Sequence, residues 1–431
     1  MDAHCPKPDP PARRTIEVNR KLVGPVTPRV RPTQRRRLTD YPRVSDAHKR
    51  IATALSHPML LGPPICDELI ALVEHVFDQE QAAVVRHLGA LRGRRAGWVA
   101  RRVGQPVARV REVLDAMALG RRIIARTGPD ERPVYRLMPI VPGMFEMALI
   151  GEAEPLSPWH QRFAELFEAL YETGYMAEYR ASTAPVRAHP IYTVTADRAS
   201  NDAVDSESRD VPIQQVAMPT DALAAVLDRY DTFGIGRCQC RLAARAVGQG
   251  CDGELENCLV MGSWARRGID QGWLREVTRD EALAIKRRAE AAGMINWSMN
   301  VASVSGEASC SCCRCCCHAL RAVSELGMPG MFAPPRFLPQ FDFDRCTYCG
   351  RCARACPVAA IIVDPVERTH EFLRERCIGC GQCQVACGET AAVAMHPVER
   401  PAEPHGGWLS LMAASAPGML RNLWHAWRTR G

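Results

Sequence analysis

Cys346-x2-Cys349-x2-Cys352-x3-Cys356-Pro357 is followed 31 residues later by Cys377-x2-Cys380-x2-Cys383-x3-Cys387. The flanks repeat with the cysteines. Asp344-Arg345 precedes the first copy and Glu375-Arg376 the second. Ala359-Ala360-Ile361-Ile362 follows the first and Ala391-Ala392-Val393-Ala394 the second. A supersecondary unit repeated in this way is a pseudo-twofold module, and the rest of the chain has to be read around it.

The spacing carries its own chemistry. A cubane of four irons and four sulfides takes one thiolate per iron. Three cysteines at two-residue intervals cap three corners from one loop, and the fourth, three residues on, points away along a short helix toward a second cubane. The spacing therefore predicts one cluster on Cys346, Cys349, Cys352 and Cys387, and another on Cys377, Cys380, Cys383 and Cys356. Gly350, Gly379 and Gly381 let the loops turn and bring N–H groups close to sulfur. Pro357 ends the hydrogen-bonded run after the fourth ligand. A structural zinc site would favour two CxxC pairs with a longer insert, which this is not. Residues 340–397 resemble a bacterial two-cluster ferredoxin, with all eight ligand positions matched. The resemblance implies low-potential, one-electron transfer through two 4Fe–4S clusters. The second copy departs from the first at one point, carrying Gly388 where the first carries Pro357.

Composition sets the frame. With 431 residues and 47 % hydrophobic content the chain can bury several cores. No run of 18 apolar residues suggests a membrane-spanning helix. Arg13-Arg14 is followed by polar sequence rather than an apolar leader, so no signal peptide is expected. Twenty cysteines point to metal in a reducing compartment rather than to disulfides, which makes the cytoplasm the expected location. No G-x-G-x-x-G follows a strand, no P-loop is present, and no nucleophile stands with a base.

The expected architecture is α+β and multi-domain. Residues 1–54 carry 13 Lys or Arg against 5 Asp or Glu, with eight prolines, and read as a disordered basic tail. Residues 55–140 read as a winged-helix-like domain: helices after Asp67, after the capping pair Asp78 and Gln81, around Trp98 and after Pro106, then a hairpin across Gly128-Pro129-Asp130. Eleven arginines lie between Arg86 and Arg126, opposed there by Glu112 and Asp115 alone. Arg109, Arg111 and Arg126 are where such a fold would meet a DNA groove, and a docking or structural role is the other reading. Residues 141–220 read as a helical segment and linker, with an acidic run from Asn201 to Asp210. Residues 221–335 read as a mostly helical cysteine-rich domain, 336–400 as the ferredoxin-type domain, and 401–431 as an amphipathic tail broken at Pro417-Gly418. Trp408, Trp424 and Trp427 on that tail suit a partner surface or a membrane interface.

The cysteine-rich stretch is the second centre of interest. Cys238, Cys240, Cys251 and Cys258 are followed by Cys310, Cys312, Cys313, Cys315, Cys316 and Cys317, six cysteines within eight residues. Such clustering is oxidation-prone unless a metal holds it. Neighbouring cysteines project differently, so ligands are expected from both ends of the stretch. One or two additional iron–sulfur clusters, a zinc or copper thiolate site, and free thiols all remain open, and the spacing assigns no individual ligand. Arg241 and Arg314 are candidates to offset thiolate charge. Cys5 and Cys66 stand apart and read as ordinary thiols.

The arrangement also resembles bacterial multi-domain 4Fe–4S proteins with a helical N-terminal part, which implies electron transfer. The chain is therefore expected to be an iron–sulfur electron carrier, or the electron-transfer subunit of a redox complex, rather than an independent enzyme, acting with a redox partner protein. The alternatives are a cluster-sensing DNA-binding regulator and a thiolate metal store.

Overall fold

The structure is a computed structural model that describes residues 15–18, 21–25, 33–90, 92–179, 187–190, 223–299, 306–328, 331–399 and 405–428. Cys5 and the acidic run Asn201–Asp210 lie outside them. The chain divides into two compact units. One comprises Val30–Tyr179, Leu242–Gly248 and Met419–Gly431; the other comprises Met1–Arg29, Arg180–Arg241 and Gln249–Gly418.

The first described residues form two antiparallel strands, β1 (Thr15–Val18) and β2 (Lys21–Pro25). The helical unit follows. The Ser45 hydroxyl accepts from the His48 N–H and starts α1 (Asp46–Leu55). Next come α2 (Asp67–Val76) and α3 (Gln79–Val85), the latter capped reciprocally by Asp78 and Gln81 as the sequence suggests. Gly104, at φ 68°, ends α4 (Ala96–Val103), and α5 (Val107–Asp115) runs on into a π turn. The hairpin β3 (Ile124–Thr127) and β4 (Val134–Leu137) is antiparallel, and Tyr135 also bridges to Arg94. Two more helices, α6 (Phe145–Leu149) and α7 (Pro158–Tyr171), follow, with Phe145 stacked on Phe167 at 3.8 Å. Several of its arginines are engaged by nearby carboxylates. Arg109 forks onto Glu80 at 2.7 and 2.8 Å and reaches Glu112 at 2.9 Å, and Arg126 meets Asp130 at 2.6 Å. Exposed pairs of this kind contribute about 0–1 kcal/mol each, so their main effect is to offset charge locally at Arg109 and Arg126.

The second unit holds every cysteine of the two fields. It takes β5 (Arg187–Pro190), α8 (Leu223–Leu227), β6 (Phe233–Arg237), α9 from Gln239 to Arg241 of the helix Gln239–Ala246, β7 (Glu256–Gly262), α10 (Ser263–Asp270) and β8 (Arg275–Val277). Then follow α11 (Arg279–Ala291), β9 (Ile295–Met299), β10 (Gly306–Ser309), β11 (Ser311–Cys312) and α12 (His318–Leu326). The strands form an antiparallel sheet of order β10-β7-β6-β8 and a smaller one of order β11-β9-β5. This region is a mixture of sheet and helix, not the mostly helical one expected. Phe233–Arg237 and Glu256–Gly262 are short apolar runs buried almost along their whole length. Runs of that length lack the alternation that marks a strand.

The C-terminal part repeats a strand–helix–strand unit: β12 (Phe337–Phe341), α13 (Arg351–Ala355), β13 (Ile361–Asp364), then β14 (Thr369–Phe372), α14 (Gln382–Cys387), β15 (Val393–Pro397). β12 pairs with β15 and β13 with β14, so each repeat exchanges a strand partner with the other. Leu320 and Val323 of α12 share one core with Val358, Ile361, Val363 and Ile378. The cysteine-rich stretch and the repeat thus have a common interior.

Two expectations need correcting. Residues 1–54 are not one disordered tail: β2 adds to β13 through Leu22 opposite Val363, and α1 buries Ile51, Ala52 and Leu55. The basic, proline-rich average hides two short strands, the second of which pairs with a strand more than 300 residues away. Nor is the C-terminal tail broken in two, because α15 (Trp408–Arg428) runs through Pro417. A proline removes one helical hydrogen bond, and the surrounding Ala, Leu and Met residues favour helix strongly. On α15, Leu409, Leu420 and Trp424 are exposed.

Candidate metal centres

The two cysteine loops have matching backbones. Tyr348 at φ 54° corresponds to Gly379 at 69°, and Gly350 at 70° to Gly381 at 73°; the last two start α13 and α14. Glycine is obligatory at 379, since a Cβ there would stand 2.7 Å from the Phe337 carbonyl oxygen. After the fourth cysteine the copies differ: Gly388, at φ 62°, begins an extra turn, and the left-handed Ala359 finds its counterpart in Ala391.

This backbone gathers the eight thiols around two cavities. Cys346, Cys349, Cys352 and Cys387 line the first, beside Phe341 and His370. Cys356, Cys377, Cys380 and Cys383 line the second, beside Val358 and Ile378. Each cavity takes three thiols from one repeat and the fourth from the other. Backbone amides donate to the sulfurs: Tyr348 to Cys346 and Gly379 to Cys377, both at 3.4 Å, and Ala360 to Cys356 at 3.2 Å. Other partners are His370, Met395 and Thr390, and no hydrogen bond joins two of the eight thiols. Spread thiols around a cavity, with amides aimed at sulfur, are a donor set suited to a four-iron cluster.

Burial pushes the Cys352 and Cys377 thiols up to about 12 and raises Cys356, Cys380 and Cys383 as well. Cys349, the exposed thiol of the set, goes the other way. Burial acts to raise it, but hydrogen bonds from Arg351 and Thr347 together outweigh that and leave it lowered. The buried thiols become ligands only as a metal displaces their protons.

The second cysteine field divides. The sulfurs of Cys251, Cys313, Cys315 and Cys316, all buried, lie within 4.8 Å of one another. Cys251 stands 3.8 Å from both Cys313 and Cys316, and Cys316 stands 3.7 Å from Cys315. Cys251 comes from the segment between α9 and β7, and the other three from the turn that leads into α12. The adjacent Cys315 and Cys316 join the same group, contrary to the expectation that neighbours diverge, because the chain turns tightly over residues 314–316. A second chain of thiols runs from Cys258 to Cys310, on to Cys312, and from there to Cys317 at 3.2 Å. Cys238 and Cys240 are half-buried at the start of α9, and burial raises Cys238 to about 11. Cys66 stands alone at the start of α2, raised to about 12 by burial.

Two buried cations attend this field. Arg241 is fully buried; its guanidinium lies 3.3 Å from the Cys313 sulfur and also donates to the Glu254 carbonyl. Burial alone would lower its pKa, yet the surrounding thiols hold it well above the usual value. Arg314, the other arginine singled out in the sequence, donates to the Arg354 carbonyl. Lys286 was not legible in the sequence. It sits on α11 and donates to Asn257 O at 3.0 Å, Ser309 O at 2.6 Å and Ser311 Oγ at 3.0 Å, tying β7 to β10 and β11, the strands on either side of Cys310. A lysine on a charged helix gives no sign that it faces inward.

A family model described as a 4Fe-4S dicluster domain matches residues 338–388. No curated protein and no solved structure matches the chain. Residues 338–388 form an iron–sulfur domain of ferredoxin type, and with the buried cysteine group they make this a metal-binding, iron–sulfur chain. No helix among the described residues is long and apolar enough to cross a membrane.

Proposed function

We propose that the chain is an electron-transfer protein, or the electron-transfer subunit of a redox complex, built to hold two 4Fe–4S clusters, with a further metal centre at Cys251, Cys313, Cys315 and Cys316. The observation that carries this is the pair of four-thiol cavities that exchange their fourth cysteine. When bound, such clusters take up and return single electrons.

The chain's own residues do the rest. Amides of Tyr348, Gly379 and Ala360 donate to sulfur and favour added negative charge. Phe341, Val358 and Ile378 wall the cavities with apolar surface, which limits water and so tunes the potential. Cys349 is exposed beside Arg351, so the first cavity is the natural point of exchange with a redox partner, and an acidic rim on that partner would complement the arginine. The regulator reading rested on the basic helical unit, where carboxylates already occupy Arg109 and Arg126.

The test is iron and acid-labile sulfide per chain, on protein purified without oxygen, with electron paramagnetic resonance after reduction. About eight of each belonging to the repeat, with paramagnetic signals from two interacting clusters, is the expected result. Iron well below that, with zinc in its place, overturns the proposal.

A further inference from the structure

The four thiols of Cys251, Cys313, Cys315 and Cys316 differ from the eight of the repeat in one measurable way: they touch. A single ion bound at metal–sulfur distances of about 2.3 Å, at the centre of a tetrahedron, holds its sulfurs about 3.8 Å apart. The observed separations are 3.8 Å for Cys251–Cys313, 3.8 Å for Cys251–Cys316 and 3.7 Å for Cys315–Cys316. Cys316 also hydrogen-bonds to Cys313. A cubane places each thiolate on a different iron, with the iron–sulfide core between them, and so needs its sulfurs farther apart. The same molecule supplies the comparison, since around the two cavities of the repeat no thiol bonds to another.

We infer that Cys251, Cys313, Cys315 and Cys316 bind one metal ion, zinc or a single iron, in closed tetrahedral sulfur coordination, and not an iron–sulfur cluster. The inference rests on the reading of this group as a metal centre and is independent of the clusters in the repeat. The surroundings fit. All four residues are buried, leaving no open coordination position toward solvent. Four thiolates around a divalent ion carry two negative charges, and Arg241 sets its guanidinium 3.3 Å from the Cys313 sulfur as a charged hydrogen-bond donor. Binding replaces four S–H bonds with four metal–sulfur bonds and releases the protons; nothing is oxidised or reduced. The ion ties the segment after α9 to the turn before α12. Its role is to fix α12 in the core it shares with the repeat.

The test uses the full chain, purified without oxygen from medium containing both metals. Metal and sulfide analysis is combined with X-ray absorption at the zinc edge. One zinc per chain, with a sulfur shell at about 2.3 Å and no neighbouring metal, supports the inference. So does iron exceeding sulfide by one per chain, which assigns a single iron instead. Cys251→Ala should remove that one ion and leave the matched iron and sulfide of the repeat unchanged. Matched iron and sulfide near twelve in the unaltered chain, or loss of about four irons in Cys251→Ala, overturns it. Because the unaltered chain is itself diagnostic, failure of the variant to fold does not spare the idea. Identical metal content in both proteins would instead remove the metal-centre reading, whereas an unaltered chain that carries the one ion but no matched iron and sulfide would count against the proposed clusters and not against this ion.

Discussion

Cys387 belongs to the second repeat by sequence but to the first cavity by position, and Cys356 has the reverse placement. Ligand substitutions in pairs therefore separate crossed from repeat-by-repeat ligation. Cys349→Ala/Cys387→Ala strikes one cavity twice, so about four of the roughly eight irons should be lost. Cys349→Ala/Cys356→Ala strikes both cavities, and all of roughly eight should go. If each repeat held its own cluster, the two outcomes would be exchanged: the first pair would empty both sites and the second would spare one. The geometry favours crossing because Cys356 leaves α13 buried, with the Ala360 amide 3.2 Å from its sulfur and Cys377, Cys380 and Cys383 around the same space. The assay is iron and acid-labile sulfide on chains purified without oxygen, with far-ultraviolet circular dichroism to show that the helices persist. Four irons retained by Cys349→Ala/Cys356→Ala, and none by Cys349→Ala/Cys387→Ala, would refute the crossed arrangement.

Other positions respond in ways the structure specifies. Gly379→Ala should deplete the second cavity of iron. Left-handed strain alone is about 1–2 kcal/mol, and Tyr348 bears it at the matching position, so the decisive cost is the clash with the Phe337 carbonyl at 2.7 Å; full iron content in this variant would contradict the account. Arg321 and Glu325 form a buried pair on α12, with Arg321 Nε at 3.0 and 3.1 Å from the two carboxylate oxygens. Glu325→Leu should destabilise by about 3–5 kcal/mol in denaturant titration, and Arg321→Met/Glu325→Leu should recover most of that; a double variant no better than the single would argue against an uncompensated charge. In the helical unit, burial lowers the pKa of His75, His87 and His160, and nearby arginines lower all three further. The unfolded chain then takes up protons first, so stability is complete above about pH 6.5 and declines as pH falls through the lowered folded values. Thermal midpoints at pH 7.5 and 5.5 should show this decline, and it should shrink in His75→Gln/His160→Gln; an unchanged decline would assign it elsewhere.

The sequence was readable where a local rule governs. Cluster ligation imposes a fixed spacing, so Cys346 to Cys387 stood out without any long-range information. Helix caps are equally local: Asp78 and Gln81 cap α3 as the pattern suggests, and Thr278, accepting from the Glu281 amide, and Gly104 follow the same rule at α11 and α4. It was opaque where a residue's role depends on a distant partner. β2 gains its strand by pairing with β13, and nothing in Lys21–Pro25 names that partner. β6 and β7 look like undifferentiated apolar runs because both of their faces are covered. Lys286 and Arg241 are buried cations whose acceptors come from other segments.

The second cysteine field shows most directly why density of ligands does not spell out a site. Six cysteines within eight residues offer many groupings, and the backbone chooses among them by its turns. β11 sends Cys312 toward Cys317 and Cys310, while the turn over residues 314–316 folds Cys315 and Cys316 back onto Cys313 and the distant Cys251. The choice is stabilised from outside the field: α12 is fixed by Leu320 and Val323 in the core that also holds Ile361 and Ile378. Loss of the ion from Cys251, Cys313, Cys315 and Cys316 should therefore loosen the turn into α12 and leave in place the shared core and the second cavity that Ile378 helps to wall. Amide exchange should rise around Cys313–Leu320 when a chelator strips the ion, with the iron of Cys377, Cys380 and Cys383 retained; simultaneous loss of both would mean that the two sites unfold as one.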